Sequence, residues 1–304
     1  MKKIVDKTKN CLLVITGPTG VGKTNLSIEL AKNFQTEIIS CDSRQFYREM
    51  KIGTAVPSSE QLAEVKHHFV QHLSITDYYN ASMFEFDCLA LLENLFKKNK
   101  IVIMTGGSGM YIDAVCNGID DIPDIDMKLR AKLIERIENE GLEAMRFELK
   151  RLDPVAYNFI DLKNKQRLLR ALEVTLHTGK PYSSFRTEKK KERDFEIIKV
   201  VINRKRDELY SGINRRVDQM MKDGLLEEVK SVLNFKGANA LKTVGYKELF
   251  DYLENKTSIE EAVELIKRNS RRYAKRQLSW FGRDNDYKYF QPQNSNEIMD
   301  LVNF

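Results

Sequence analysis

Gly17-Pro18-Thr19-Gly20-Val21-Gly22-Lys23-Thr24 satisfies the pattern G-x-x-x-x-G-K-[ST] without deviation, and its flanks decide the fold. Leu12–Thr16 before it is a short apolar, β-prone run that reads as a buried strand. Thr24–Asn33 after it carries Leu26, Leu30 and Ala31 on one helical face. A glycine turn between a strand and a helix directs successive backbone N–H groups inward, and the helix N-terminus adds partial positive charge. Lys23 adds a full charge, and Thr24 offers a hydroxyl to Mg²⁺. Such a loop holds a di- or triphosphate; the pattern leaves open which one.

The same strand–helix texture recurs outward from the loop. Glu37–Ser40 and Ile101–Met104 read as further short strands, and Phe195–Ile202 as a fourth. Strands alternating with helices imply βαβ units and a mostly parallel sheet. From about Gly118 the pattern changes. Asp126–Glu140 reads as a helix stopped by Gly141, and Leu142–Leu152 as a second ended by Asp153-Pro154. Asn164–Thr178 is a third, with Gly179 as its C-cap. Arg186–Asp194 is charged and reads as a solvated linker. Asp207–Lys222 is helical again, and Ser258-x-x-Glu261 opens a helix running to Trp280. The last ~20 residues are polar and expected to fray. The fold class is therefore α/β. A P-loop NTPase-like parallel sheet core (residues 1–118 and 195–304) carries an all-helical insertion domain (119–194) and a helical C-terminal part.

Composition agrees and excludes several classes. The chain has 304 residues, 42% hydrophobic and 31% charged, enough to bury a core rather than remain disordered. Cys11, Cys41, Cys88 and Cys116 lie far apart with no CxxC pair, against a zinc knuckle or disulfide scaffold and in keeping with a reducing cytoplasm. The apolar run near the N-terminus is too short for a secretory signal, and no stretch approaches the ~18 apolar residues of a membrane span. A net charge of +6, from 50 basic and 44 acidic residues, permits a polyanionic partner without demanding one.

Asp42 ends the second strand, in Asp42-Ser43-Arg44-Gln45-Phe46-Tyr47, and should face the phosphate loop. It reads as a metal-holding acid, a proton acceptor or a turn aspartate. The third strand ends in Thr105-Gly106-Gly107-Ser108-Gly109, with no acid of the kind a motor-type NTPase carries there. That weakens hydrolysis and favours transfer from a bound diphosphate. On the Ser258–Trp280 helix, Lys267, Arg271 and Lys275 form one i, i+4, i+8 row and Arg268, Arg272 and Arg276 another. Together they predict a broad cationic strip suited to a phosphate backbone, or else a solvated face. His67, His68 and His72 lack acids or cysteines at ligand spacing and read as loop or surface residues.

Several motifs in order resemble the tRNA dimethylallyltransferases, the tRNA isopentenyltransferase family. They are GPTGVGKT (17–24), DSRQFY (42–47), KIGTAVP (51–57), GGSGMYI (106–112), QRLLRALEV (166–174), INRRVDQM (213–220), GLLEEV (224–229), VGYKEL (244–249) and RRYAKRQLSWF (271–281). The chain departs from the family's usual methionine at Arg44, lysine at Val56 and threonine at Ser108. The resemblance implies transfer of a dimethylallyl group from dimethylallyl diphosphate to the exocyclic amine of adenosine 37 in the tRNA anticodon stem-loop. It implies catalytic roles for Asp42, Arg216 and Thr19. Diphosphate would be held by Gly17, Pro18, Thr19, Gly20, Val21, Gly22, Lys23 and Thr24, with Mg²⁺ at Thr24. Contacts to tRNA would come from Asp42, Ser43, Arg44, Gln45, Ser108, Arg130, Gln166, Arg167, Leu168, Leu169, Arg170, Arg272 and Arg276. The family leads us to expect a cytoplasmic monomer without a membrane association. A P-loop nucleotide or small-molecule kinase, or a prenyltransferase acting on free adenine nucleotides, would share the core; the basic helical parts favour RNA.

Overall fold

The computed structural model describes residues 8–123, 126–187 and 189–302. The chain divides into two compact units, one of Met1–Asn117 with Glu192–Phe304 and one of Gly118–Lys191.

In the first unit, β1 (Cys11–Thr16), β2 (Ile38–Ser40), β3 (His67–His68), β4 (Ile101–Gly106), β5 (Glu196–Ile202) and β6 (Lys288–Phe290) form one sheet of order β3-β2-β4-β1-β5-β6. Every pairing is parallel. Parallel strands carry helices on both faces, so they must be apolar throughout. Cys11, Leu12, Leu13, Val14 and Ile15 of β1 are accordingly fully buried. Around the sheet pack α1 (Lys23–Asn33), α2 (Ser59–Glu64), α3 (Ala81–Phe96) and α4 (Gly109–Asn117). With α5–α8 assigned to residues 127–185 of the second unit, the later helices of the first are α9 (Arg206–Lys222), α10 (Leu225–Ser231), α11 (Tyr246–Leu253), α12 (Ile259–Phe281) and α13 (Ser295–Val302). The Ser258–Glu261 capping box forms as the sequence predicts.

Three expectations change. The chain end is built in rather than frayed. Strand β6 extends the sheet beside β5 (Val200↔Lys288, Ile202↔Phe290), and α13 buries Ile298 and Val302 against the main core. Only two side chains of that helix need to be fully buried, too few to stand out in a polar tail. The second difference lies in the linker. Arg193 is not solvated: it pairs with the Glu85 carboxylate at 2.7 Å and donates to the carbonyls of Ala114 and Val115. The third concerns two of the histidines. His67 and His68 form β3, and His68 meets Glu37 at 2.5 Å, whereas His72 is an exposed loop residue as expected, edge-on to Phe46, Phe69 and Tyr79.

In the second unit, α5 (Met127–Leu152) is one helix broken at Gly141, where φ is +80°. It packs with α6 (Pro154–Phe159), α7 (Lys165–Thr178) and α8 (Tyr182–Phe185). Its core is Leu133, Ile137, Met145, Leu149, Ala156, Leu168, Leu169, Ala171 and Leu172. Each fully buried leucine there contributes about 1.5–3 kcal/mol.

Candidate active site

The strand order fixes the site. β1, β4 and β2 are successive neighbours, all pointing the same way, so the glycine loop after β1 and Asp42 after β2 emerge on one edge of the sheet. They are separated by the width of two strand spacings, about 9–10 Å. β4 ends between them in Gly106 and Gly107, which place no side chain in the gap. A cavity of about 890 Å³ opens there.

Residues 17–24 form a loop whose backbone requires glycine. Gly17 has φ +146°, and a Cβ on it would lie 2.3 Å from the Ile202 carbonyl oxygen. Lys23 Nζ folds back to donate to the Gly17 and Pro18 carbonyls, both at 2.9 Å. Arg216, from α9, donates from Nη1 to Thr19 Oγ1 at 3.3 Å. Burial pushes the Lys23 ammonium down to about 8, an effect opposed by the Asp42 carboxylate and reinforced by Arg216. Arg216 is also lowered by burial, again against Asp42. Two desolvated cations thus share one cavity with a single nearby carboxylate, an arrangement that an anionic ligand would neutralise.

Asp42 begins a tight turn. Its Oδ1 accepts from Arg44 N at 3.1 Å, and its carbonyl accepts from Gln45 N at 3.0 Å. It is therefore a turn aspartate that also lines the cavity, and the two readings are compatible. Ser108 braces this turn, accepting from Ser43 N at 3.0 Å. Arg44 donates to the Asn239 carbonyl at 3.1 Å. Tyr273, from α12, lines the cavity, and its hydroxyl is raised to about 12 by burial and by Asp42.

Of the residues the sequence proposes, Thr19, Gly20, Val21, Gly22, Lys23, Thr24, Asp42, Ser43, Arg44, Gln45, Arg216, Arg272 and Arg276 all line this cavity. Gly17 and Pro18 support it through their carbonyls. For a divalent ion, Thr24 places its hydroxyl on the wall, but among the described residues no group of three His, Cys, Asp or Glu could hold a metal. Thr24 would supply a protein ligand to a magnesium ion there, with the remaining ligands drawn from water and substrate, the usual habit of that ion.

The cationic strip is narrower than its spacing suggests. Lys267 is tied to Asp218 at 2.8 Å and Glu264 at 2.9 Å, and Arg271 donates to Asn214 at 2.6 Å. Arg268, Arg272, Lys275 and Arg276 remain exposed. In the second unit Arg130 Nη1 donates to both carboxylate oxygens of buried Glu173, at 2.8 and 2.9 Å, and Nη2 donates to Gln166 Oε1 at 3.4 Å. Gln166 and Arg167 are exposed and Arg170 half-buried. Leu168 and Leu169, expected among the tRNA-binding residues, are 0% exposed and fill that unit's core, which withdraws their side chains from any ligand surface.

Sequence reasoning missed four groups. Gln277 donates and accepts between the glycine loop and β4. Glu228 holds the 51–53 backbone, aided by Tyr246. Lys242 and Lys247 stand exposed at the cavity rim. All lie within or beside quoted motifs, but the partners of Gln277 and Glu228 are distant in sequence, so no local spacing signals those two.

Comparison with known proteins agrees with this geometry. The family described as IPP transferase matches residues 45–284. A tRNA dimethylallyltransferase 2 of Parabacteroides distasonis is 54% identical over 289 residues, covering 95% of this chain and 97% of its own. A tRNA dimethylallyltransferase 1 of Bacteroides thetaiotaomicron is 52% identical over 291 residues, 96% of this chain and 94% of its own. Among solved structures, a full-length tRNA isopentenylpyrophosphate transferase from Bacillus halodurans superposes with a TM-score of 0.70 at 35% identity, covering 97% of this chain and 95% of that one. A eukaryotic dimethylallyltransferase acting on tRNA superposes at 0.79 with 28% identity, covering 93% of this chain and 74% of that one. With the greater part of its length matched and half its residues shared with relatives along almost the whole chain, the protein belongs to the IPP transferase family.

Proposed function

We propose that the chain transfers a dimethylallyl group from dimethylallyl diphosphate to the exocyclic amine of adenosine 37 in tRNA, releasing diphosphate. The observation that carries this is one cavity holding two desolvated cations, Lys23 of the glycine loop and Arg216 of α9, and, across the end of β4, the Asp42 carboxylate. The names of the relatives support the same reaction.

The bond that forms joins the amine nitrogen to C1 of the dimethylallyl group. The C1–oxygen bond breaks, and its electron pair leaves with the diphosphate. Negative charge therefore develops at the leaving group, where loop N–H groups, Lys23 and Arg216 would stabilise it. Thr19 Oγ1, already oriented by Arg216, would add a donor there. A magnesium ion at Thr24, when bound, would neutralise further phosphate charge. Asp42 would accept the amine proton through the oxygen not used in its turn. An adenine stacked in a loop cannot present its amine to this cavity, so the base must leave its stack, with Ser43–Gln45 beside it. Arg272 and Arg276 near the cavity, and Gln166, Arg167 and Arg170 on the insertion, would grip the anticodon stem-loop through its phosphates.

Incubating the protein with dimethylallyl diphosphate and unmodified tRNA should yield prenylated adenosine, read by nucleoside mass spectrometry. Transfer of a γ-phosphate from ATP without prenylation, or prenylation of free AMP, ADP or ATP in preference to tRNA, would overturn the assignment.

A further inference from the structure

We propose that Gln277 is a positioning residue that fixes Thr19 against the departing diphosphate; the inference rests on the prenyl-transfer reading above. Gln277 lies on the buried side of α12, 6% exposed, and both ends of its amide are used. Its Oε1 accepts from the Thr19 backbone N–H at 2.9 Å, and its Nε2 donates to the Gly107 carbonyl at 2.9 Å. The orientation of the amide follows from its neighbours. One partner can only donate and the other only accept, so the flipped amide would set donor against donor and acceptor against acceptor.

This single side chain joins the glycine loop after β1 to the end of β4. The approach is close enough to need glycine: a Cβ on Gly107 would lie 2.1 Å from Gln277 Nε2. The consequence at Thr19 is specific. Its N–H is consumed by the protein, so the phosphate cradle is formed by the later N–H groups of the loop. Thr19 is left to act through its hydroxyl, which Arg216 already engages at 3.3 Å. With Lys23 on the Gly17 and Pro18 carbonyls, three side chains from three helices hold the first half of the loop. Of these, Gln277 alone reaches the Thr19 backbone N–H, and so sets the direction in which Oγ1 points.

A glutamine is required chemically. Glutamate keeps an acceptor for Thr19 N–H but sets a carboxylate against the Gly107 carbonyl; methionine keeps the volume and loses both bonds.

The test is a double-mutant cycle on the full chain, comparing wild type, Gln277→Met, Thr19→Ala and the double variant. Two readouts are used: single-turnover prenyl transfer and binding of inorganic pyrophosphate by calorimetry. Gln277→Met should slow transfer about 10–100-fold and weaken pyrophosphate binding about threefold or more, with the KM for tRNA changed less than about threefold. In the Thr19→Ala background the same substitution should cost under about threefold in both readouts, because groups acting as a unit are not additive. Gln277→Glu should be slow at neutral pH and recover toward wild type as pH falls, since the protonated acid can again donate to Gly107. An undiminished penalty in the Thr19→Ala background, or wild-type behaviour of Gln277→Met in both readouts, would overturn the proposal. Should wild type bind pyrophosphate and show the non-additive cycle yet transfer no prenyl group, the positioning role stands and the reaction assigned above fails instead.

Discussion

Two loops line the same cavity and differ in how much of their shape is local. Residues 17–24 draw their shape chiefly from their own sequence: a buried strand enters, a helix leaves, and the glycines between permit the turn. Residues 53–57 form a second stretch of cavity wall with no such local instruction. The Glu228 carboxylate, from α10, accepts from the N–H groups of Lys51, Ile52 and Gly53 at 2.9, 2.7 and 2.9 Å and from the Tyr246 hydroxyl at 2.6 Å. The Gln45 amide holds the carbonyls of Thr54 and Ala55, and Ala55 sits at φ +49°. The first loop is a motif; the second is an assembly of remote parts. A change at Glu228 should therefore disturb the second wall while leaving the first intact, since Gln277 and Arg216 brace the first loop independently of it.

Asp42 stands between the two, and replacing it should give the largest effect. Asp42→Ala should slow single-turnover transfer about 10³-fold while tRNA affinity stays within about threefold, because a proton acceptor acts mainly in the transition state. Asp42→Asn separates chemistry from architecture. It keeps an acceptor for Arg44 N and thus the turn, but it cannot take a proton. Equal slowing of both variants supports the base. A nearly wild-type Asp42→Asn would make Asp42 only the residue that shapes the turn, and would leave the two loops without a catalytic group between them.

Glu228→Gln tests the contrast itself at a smaller scale. One acceptor oxygen becomes a donor facing N–H groups, leaving part of a four-donor cluster unsatisfied, and each lost acceptor costs about 1–3 kcal/mol. Melting should fall by about 2–4 °C per kcal/mol lost. Transfer efficiency should drop about tenfold, mostly through KM for tRNA, because the wall beside Gln45 and the Asp42 turn loosens. Pyrophosphate affinity, measured by calorimetry, should not change. A parallel loss of pyrophosphate affinity would mean that the two loops are one mechanical unit and that the contrast is false.

The same division explains what could be read in advance. Strands β1, β2, β4 and β5, the phosphate loop and the helical texture of the insertion all follow from periodicity and turn chemistry within short windows. Asp42 could be placed on the correct edge because parallel strands of one sheet end together. Glu228 and Gln277 could not, since their partners lie on other elements and no spacing rule connects them. Strand β6 stayed hidden because its residues are largely exposed at a sheet edge, where apolar patterning is weak. Leu168 and Leu169 show the converse failure. The family resemblance of their motif suggested contact with RNA, whereas the helical period of α7 buries them on the core side.

The two basic rows of α12 supply the mildest test, because spacing treats them alike and packing does not. Lys267 and Arg271 spend their charge and donors on Asp218, Glu264 and Asn214, so much of their field is cancelled within the protein. Arg272 and Arg276 are exposed and line the cavity, where a phosphate could displace water rather than a carboxylate. Reversing both, Arg272→Glu with Arg276→Glu, should weaken tRNA binding and reduce the slope of log affinity against log salt by about 1–2. The pair Lys267→Gln with Arg271→Gln should change that slope by well under about 1, the part a single phosphate contact contributes. Filter binding or fluorescence anisotropy across several salt concentrations distinguishes the rows. Equal slopes for the two double variants would mean that both rows meet RNA, and that the ion pairs seen here open when it binds.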